Sequence, residues 1–377
     1  MNFDLTEEQQ LVRETVRTFA RERVAPVAAD LDREQRFPYE LVAELAELGL
    51  MGMTIPEEYG GAGADTVSYA IVVEELTRID SSVAITLAAH HSLGTLPIYY
   101  FGSDEQKRRW LPDLASGKKL AAFGLTEPGA GSDAGATRTT AELRDGEWIV
   151  NGSKIFITNA GTDITGCVTI TARTGDDEIS NIVVENGTPG YTISPPMHKL
   201  GWRASDTREL SFENCRVPEE NLLGPRGKGF QQFLTILDGG RISVAAMGVG
   251  LAQGAYDLAY AYAKEREQFG KPIARFQAVQ FKLADMATEI EAGRALVLKA
   301  AWLKDEDRDF AREAAMAKLY TGELSHRVVN AALQIHGGYG YMEESAIARL
   351  YRDQKILEIG EGTNEVQRMV IAKHLGL

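Results

Sequence analysis

Two short stretches of the 377-residue chain carry residue types that could do chemistry. The first, FGLTEPGAGSD at 123–133, sets hydroxyl and carboxyl side chains among glycines. A turn of this kind lets backbone amides and small hydroxyls approach a ligand closely. The second, IGEGTNEVQR at 359–368, holds Glu361 between Gly360 and Gly362. A carboxylate there can be read as a proton acceptor, more basic wherever its surroundings exclude water. It can equally be read as an acid placed ahead of a helix that begins at Thr363, favourable next to the helix dipole. The first stretch also has a plain reading, a turn from Glu127 to Asp133 that joins two strands.

Other candidate chemistry falls away. His90 and His91 are adjacent, so they point to different helix faces and lack the one-turn spacing of a zinc pair. Together with His336 they read as packing or capping residues, and no metal site is expected. Gly129-Ala130-Gly131 suggests a dinucleotide loop, but no alternation of strand, helix and strand surrounds it. The two cysteines, Cys167 and Cys215, cannot form a disulfide framework and read as small buried residues. A formal charge of −14 argues against nucleic-acid binding. No apolar run approaches a membrane span and residues 1–20 show no signal-peptide pattern, so a cytoplasmic protein without membrane association is expected.

The elements that must position these residues fall into three blocks. Thr6-Glu7-Glu8-Gln9 has the form of a capping box, and Leu11, Val12, Val16, Phe19 and Ala20 follow at helical spacing up to Ala25-Pro26. A second helix is predicted with Pro38 in its first turn, and a long, mostly apolar helix after Asp65. Near residue 120 the pattern changes. Asp145-Gly146 is a hairpin turn pair, Asn151-Gly152 predicts another turn, and β-branched segments recur at 167–171, 182–184 and 191–193. From Gly227 onward long helical segments are predicted around 229–266, 275–303, 309–336 and 363–375. The expectation is an α+β multidomain protein: a helical domain at 1–120, a β domain at 121–224 and a helical domain at 225–377.

FGLTEPGAGSD and the segment QIHGGYGYMEESAIARLYRDQKILEIGEGTNEVQR at 334–368 resemble the two signature regions of the acyl-CoA dehydrogenase family, in the expected order and spacing. The resemblance covers essentially the whole chain. It implies an N-terminal α-helical domain, a middle β domain and a C-terminal four-helix bundle. It also implies FAD as cofactor, an acyl-CoA substrate, an electron-transfer flavoprotein as electron acceptor, and a homotetramer built as a dimer of dimers.

By the same resemblance, Phe123, Leu125 and Thr126 line the flavin ring, and Gly131 and Ser132 approach its phosphates. Phe156-Ile157-Thr158 supplies an aromatic wall and a threonine near the reactive nitrogen; tryptophan is common where this chain has Phe156. EREQFGKPI at 265–273 resembles the segment that reaches a neighbouring subunit's cofactor, with Arg266 on the pyrophosphate and Gln268 and Phe269 on the adenosine half. Taken singly, Arg266 reads as one more charge on a solvated helix end. Gln334, Gly337 and Gly338 match the adenine end, and Thr363 and Glu365 a pair near the ribityl–diphosphate portion. Glutamine is frequent where Glu365 stands.

Glu361 corresponds to the family's catalytic glutamate, and Gly362 behind it permits close backbone approach. Some members carry the base on an earlier helix, immediately before an arginine. Here that segment reads LDGGR at 237–241, and Gly240 cannot be a base. Asp238 and Arg241 resemble residues that hydrogen-bond the pantetheine arm; a surface ion pair is the plain reading. Ile85, Thr86 and Ala89 are placed near the acyl pocket, and their neutral character disfavours a dicarboxylic chain. Gly360 stands where tyrosine is frequent, which opens space for a bulkier or branched acyl group. An acyl-CoA oxidase, a relative acting on a nitroalkane or other carbon acid, and an inactive acyl-CoA-binding scaffold are the competing expectations.

Overall fold

The computed structural model describes residues 4–377 of the chain, and the first three residues of the predicted N-terminal segment lie outside it. The N-terminal helices are α1 (Glu7–Phe19), α2 (Ala28–Glu34), α3 (Tyr39–Glu47), α4 (Thr66–Thr77), α5 (Ser81–Ala88), α6 (Leu96–Phe101) and α7 (Asp104–Ala115). The capping box forms as read: the Thr6 hydroxyl accepts from the Gln9 amide and the Gln9 side chain accepts from the Thr6 amide. Pro38 stands at the cap of α3, one residue ahead of its first turn.

The single long helix expected after Asp65 is divided. Asp80 caps a new helix by accepting from the Val83 amide at 3.0 Å, so α4 and α5 are separate. A wide π-type turn then spans Ala89–Thr95. His90 sits in it as a bracket: its Nδ1 accepts from the Ala121 amide at 3.0 Å, so its Nε2 donates to the Leu114 carbonyl. That fixes the tautomer and ties the helical domain to the first strand.

The described residues form ten strands: β1 (Leu120–Gly124), β2 (Thr140–Arg144), β3 (Glu147–Thr158), β4 (Thr165–Arg173), β5 (Ile179–Glu185), β6 (Tyr191–Ile193), β7 (Thr207–Pro218), β8 (Leu222–Leu223) and, farther along the chain, β9 (Glu267–Gln268) and β10 (Lys271–Pro272). The first eight form one sheet in the order β6-β7-β3-β2-β4-β5-β8, with β1 paired parallel to β4. Asp145 and Gly146 both take positive φ and join β2 to β3 in a tight hairpin. The turn expected at Asn151-Gly152 does not exist. β3 runs straight through it with a register shift between Val150 and Gly152, a bulge. Gly152 has φ +145, and a Cβ there would meet Thr139 Oγ1 at 2.5 Å, so close packing rather than chain reversal requires the glycine. Cys167 and Cys215 are buried and free.

The C-terminal helices are α8 (Gly229–Glu265), α9 (Gln277–Asp305), α10 (Ala311–His336), α11 (Ala346–Asp353) and α12 (Asn364–His374). α8 packs against α4, α9 and α10, and α10 also packs against α12. By length and composition α8 alone among the described helices could cross a membrane, contrary to the sequence reading. Of its most apolar stretch, 78% is buried inside the protein, because this helix is the centre of the bundle.

The three parts meet at Asp353, which is fully buried at the end of α11. Its Oδ2 accepts from Ser81 Oγ at 2.6 Å and its Oδ1 from the Trp202 amide at 2.8 Å. Arg349 donates to the Ile79 carbonyl at 3.0 Å and stands 3.5 Å from Asp80. Burial raises the Asp353 carboxyl to about 6. Asp353→Ala should therefore lower the unfolding free energy by about 2–4 kcal/mol, because two buried donors lose their acceptor. Urea unfolding followed by tryptophan fluorescence measures this, and an unchanged midpoint would contradict the junction's role.

Candidate active site

Glu361 lies on a connection between two helical pieces, after a 3₁₀ turn at Gln354–Glu358 and before α12. Thr363 caps α12 by accepting from the Val366 amide at 3.3 Å. That cap leaves Glu361 and Gly362 in consecutive left-handed conformations, φ +52 and +89. For a glutamate this costs about 1–2 kcal/mol, so neighbouring groups must hold it. Gln367 Nε2 donates to the Glu361 carbonyl at 3.2 Å and the Gly362 carbonyl at 2.9 Å. Lys318 on α10 donates to the Gly362 carbonyl at 2.8 Å.

The turn lays the Glu361 carboxyl against α8 at Gly240. A Cβ at position 240 would stand 2.1 Å from Glu361 Oε2, so only glycine fits beneath this conformation. Glu361 is half-buried as a residue, but Oε2 is sealed from solvent and has no hydrogen-bond partner. Burial raises the carboxyl to about 7, against the pull of the nearby Lys318 and Arg241 charges. The Glu361 N–H also meets no acceptor among the described residues. A carboxylate poised near neutrality, with no competing donor, can accept a proton from a weak carbon acid.

Arg241 is buried and pairs with Asp238 one helical turn earlier, and its Nε has no partner. The pair reads as something other than a surface ion pair, because the guanidinium is inside. Tyr69 on α4 is buried, donates to the Ala88 carbonyl at 3.2 Å and packs its ring 4.6 Å from that of His91. Burial holds His91 at about 3 and His90 at about 4, so both are neutral. Ile85, Thr86 and Ala89 are buried, and the Thr86 carbonyl accepts from Asn159 Nδ2 at 2.8 Å. Gly360 is half-buried; a Cβ there would meet nothing nearer than the Ile356 carbonyl at 3.4 Å. Backbone geometry does not impose that glycine.

A second group gathers on the β domain. Phe123, at the end of β1, is buried and stacks on Phe233 at 5.8 Å. The following loop hangs on Glu127, which accepts from Thr137 Oγ1 at 2.5 Å, from the Arg138 and Thr139 amides at 2.6 and 3.0 Å, and from Lys154 at 2.7 Å. Burial alone would raise this carboxyl, but those donors hold it down at about 2. Lys154, fully buried, also donates to the Leu125 carbonyl at 3.1 Å and so fixes the loop's start. Leu125 and Thr126 are half-buried there, while Gly131 and Ser132 face solvent at the tip. The Ile155 amide donates to the Thr126 carbonyl at 2.8 Å, which brings β3 alongside.

Beside that contact, β3 shifts register between Lys154 and Ile157. Phe156 takes φ +64 in the shift, and its ring is turned outward, 61% exposed. A bulky residue in left-handed conformation is an outlier that needs a reason. Thr158 is half-buried and pairs with Thr207. An exposed aromatic wall next to two threonines suits a flat ring with a polar edge.

The third group lies on the C-terminal bundle. Arg266, Gln268, Gly337 and Gly338 line one groove of about 520 Å³, together with Tyr262 and Tyr339. Gln334, Gly337 and Gly338 line an adjoining recess of about 420 Å³. Arg266 stands over the Tyr339 ring at 5.4 Å and has no carboxylate partner among the described residues, which fits a phosphate-bearing ligand. Phe269 has φ +53 and is 93% exposed. No residue of the β-domain group lines either space. Glu365 is exposed in the first turn of α12, where its own backbone amide keeps the carboxyl ionised below the usual range.

The residue types in these groups fit FAD: ring wall, small-residue turn and unpaired guanidinium are all present. Among the described residues no cluster of three or more histidine, cysteine or acidic side chains could hold a metal. Sequence reading missed Lys318, Lys154, Glu127 and Tyr69 as site residues. Two were detectable. Lys154 continues the inward alternation of Trp148 and Val150, and Lys318 falls on the small-residue face with Ala314, Ala315, Thr321 and Ser325.

Models of the acyl-CoA dehydrogenase N-terminal, middle and C-terminal domains match residues 6–118, 122–215 and 227–376. A probable acyl-CoA dehydrogenase of Bacillus subtilis is 54% identical over 378 residues, covering 100% of both chains. The butyryl-CoA dehydrogenase structure from Megasphaera elsdenii superposes with TM-score 0.97 at 45% identity, over 100% of each chain. A chain from a study of the electron transferring flavoprotein of Acidaminococcus fermentans and flavin-based electron bifurcation also gives 0.97 at 45%, over 100% of this chain and 99% of that one. A Bacillus anthracis acyl-CoA dehydrogenase complexed with FAD gives 0.94 at 37% identity, over 99% of this chain and 67% of that one.

The raised Glu361 carboxyl has a consequence for stability. The unfolded chain ionises this group near the ordinary 4.5, the folded one only near 7. Its contribution is full at low pH and is lost as pH rises through the folded value. Glu361→Gln removes that loss. The thermal midpoint of the variant should gain on the wild type between about pH 4.5 and 7 and hold its lead above. A difference independent of pH would contradict the burial of the carboxylate.

Proposed function

The chain belongs to the acyl-CoA dehydrogenase family, and from that premise we propose that Glu361 is the base in an α,β-desaturation of a short acyl-CoA thioester. The protein is a flavin-dependent oxidoreductase acting on acyl-CoA. FAD, when bound, supplies the acceptor for the hydride that leaves the β-carbon. The rest of the chemistry falls to the chain's own groups.

The single observation that carries this reading is the unpartnered Oε2 of Glu361, buried over Gly240 with a pKa near 7. The α-proton of a thioester is weakly acidic, so it needs a base close to the operating pH and a polarised carbonyl. Glu361 takes the proton into its carboxylate. Its free backbone N–H donates to the thioester oxygen as negative charge develops there. The C–H bond electrons at the α-carbon then form the double bond as the β-hydrogen leaves with its own pair, giving the trans-2-enoyl thioester.

Arg241 and Asp238 hold the pantetheine arm at the mouth, and buried neutral residues at 85, 86 and 89 form the acyl side. Gly360 leaves room beside the base for a branch on the acyl chain. Phe123, Leu125, Thr126, Gly131, Ser132, Phe156 and Thr158 would hold the isoalloxazine and near phosphate. The Arg266 groove shares no lining residue with them, which supports a cofactor clamped between two copies and an assembly of at least a dimer, as in a dimer of dimers. An electron-transfer flavoprotein is the acceptor that re-oxidises the cofactor.

Purified protein should be yellow and should bleach anaerobically with butyryl-CoA or a short branched acyl-CoA. Glu361→Gln should stay yellow and lose turnover by about 10³-fold or more. A variant that bleaches at the wild-type rate would refute the assignment of the base.

A further inference from the structure

Lys318 is the one feature of the active-site region that motif and fold leave unexplained. It is fully buried on α10, in a helix face otherwise made of alanine, glycine, serine and threonine. A methionine would fill the same space without the cost of burying an ammonium. The reason for a lysine must therefore lie in its donors or its charge. Its Nζ donates to the Gly362 carbonyl at 2.8 Å and to Asn364 Oδ1 at 3.3 Å. The first acceptor belongs to the strained turn, one residue beyond Glu361, and the second opens α12, three residues beyond it.

We propose that Lys318 is a positioning residue for the desaturation: its ammonium pins the left-handed Glu361–Gly362 turn and keeps the half-buried Glu361 carboxylate ionisable. The inference rests on Glu361 being the base. The geometry has two parts. The carbonyl of Gly362 points at the ammonium, so the Gly362–Thr363 peptide at the end of the turn cannot flip without breaking a charged hydrogen bond. The same ammonium is the foremost positive charge acting on Glu361, opposing the burial that would otherwise neutralise it.

The other groups that face this carboxyl are accounted for. From α8, Arg241 is turned toward its partner Asp238. From α4, Tyr69 is a neutral phenol bonded to the Ala88 carbonyl. From the 3₁₀ turn, Glu358 is engaged by Lys355 at 2.7 Å, with His326 at 3.9 Å. From α12, Glu365 is exposed. Of the two cations that act on Glu361, Lys318 is the one with no carboxylate in salt-bridge range among the described residues. Burial lowers it to about 8, which leaves it mostly protonated at neutral pH.

The test is the pH profile of kcat with butyryl-CoA and an artificial electron acceptor, in Lys318→Met, Lys318→Arg and Asn364→Asp, together with flavin content. Loss of the ammonium should move the rising limb up by roughly one unit, so that turnover falls several-fold at pH 7 and recovers toward pH 9. KM and flavin content should change little. Lys318→Arg should restore most of the shift. Asn364→Asp, an acid in a helix's first turn, should also move the limb upward, because a carboxylate beside the ammonium offsets its field.

A Lys318→Met profile that superimposes on the wild type, or falls equally at every pH, would overturn the proposal while leaving the base assignment intact. Should that variant not fold, an unmoved limb in Asn364→Asp overturns it. If the wild type desaturates nothing, the base assignment is what fails. The Glu361 midpoint, read by ¹³C NMR in the same variants, then decides the Lys318 question without turnover.

Discussion

One carboxylate with an oxygen sealed from water organises this molecule. Glu361 Oε2 is sealed, unpartnered and pressed onto a helix at a glycine, in a backbone conformation that resists it. Each part of that arrangement costs stability. A buried acid without a donor is unfavourable, and so is a glutamate at positive φ. The surroundings offset these costs with Gln367, Lys318 and the Thr363 cap, all of which grip the backbone and leave the carboxyl free. Groups that hold the chain without satisfying the side chain are what a base requires.

The wider fold serves the same end. α8 brings Gly240 and Arg241 under the turn, α10 brings Lys318, and α4 brings Tyr69, so Glu361 sits at the meeting of three helices. Asp353 locks the segment leading into the turn against the helical and β domains together. On the β side, the Lys154–Glu127 pair does for the first signature loop what Lys318 does for the second. In both cases a buried ammonium reaches a backbone carbonyl of a functional loop. An internal cation anchors each loop at its root.

Much of this was legible in the residues. Helical spacing located α8, α9, α10 and α12 to within a few residues, because apolar faces that pack on each other keep a 3.6-residue period, and passed over the short α11. Asp145-Gly146 made a hairpin as its chemistry demands. Asn151-Gly152, nearly the same dipeptide, did not: Gly152 lies against Thr139, and tertiary contact overrode local turn preference. The helix after Asp65 was broken by a cap at Asp80 that an apolar pattern conceals. Glu361, Phe156 and Arg266 stood out through their motifs. Lys154 and Lys318 did not, because a lysine reads as a surface residue unless its place in the period is followed. The strain at Phe156 and Glu361 had no signal at all, since positive φ at a non-glycine residue is set by surrounding structure.

Burial of Oε2 should keep a proton on Glu361 up to neutrality. Isotope-edited infrared titration of the carboxyl stretch, wild type minus Glu361→Gln, measures that directly. A midpoint near 7 is the result this structure predicts. A midpoint in the ordinary range near 4.5 would mean that water or a donor reaches the group, and the account of the base would be wrong.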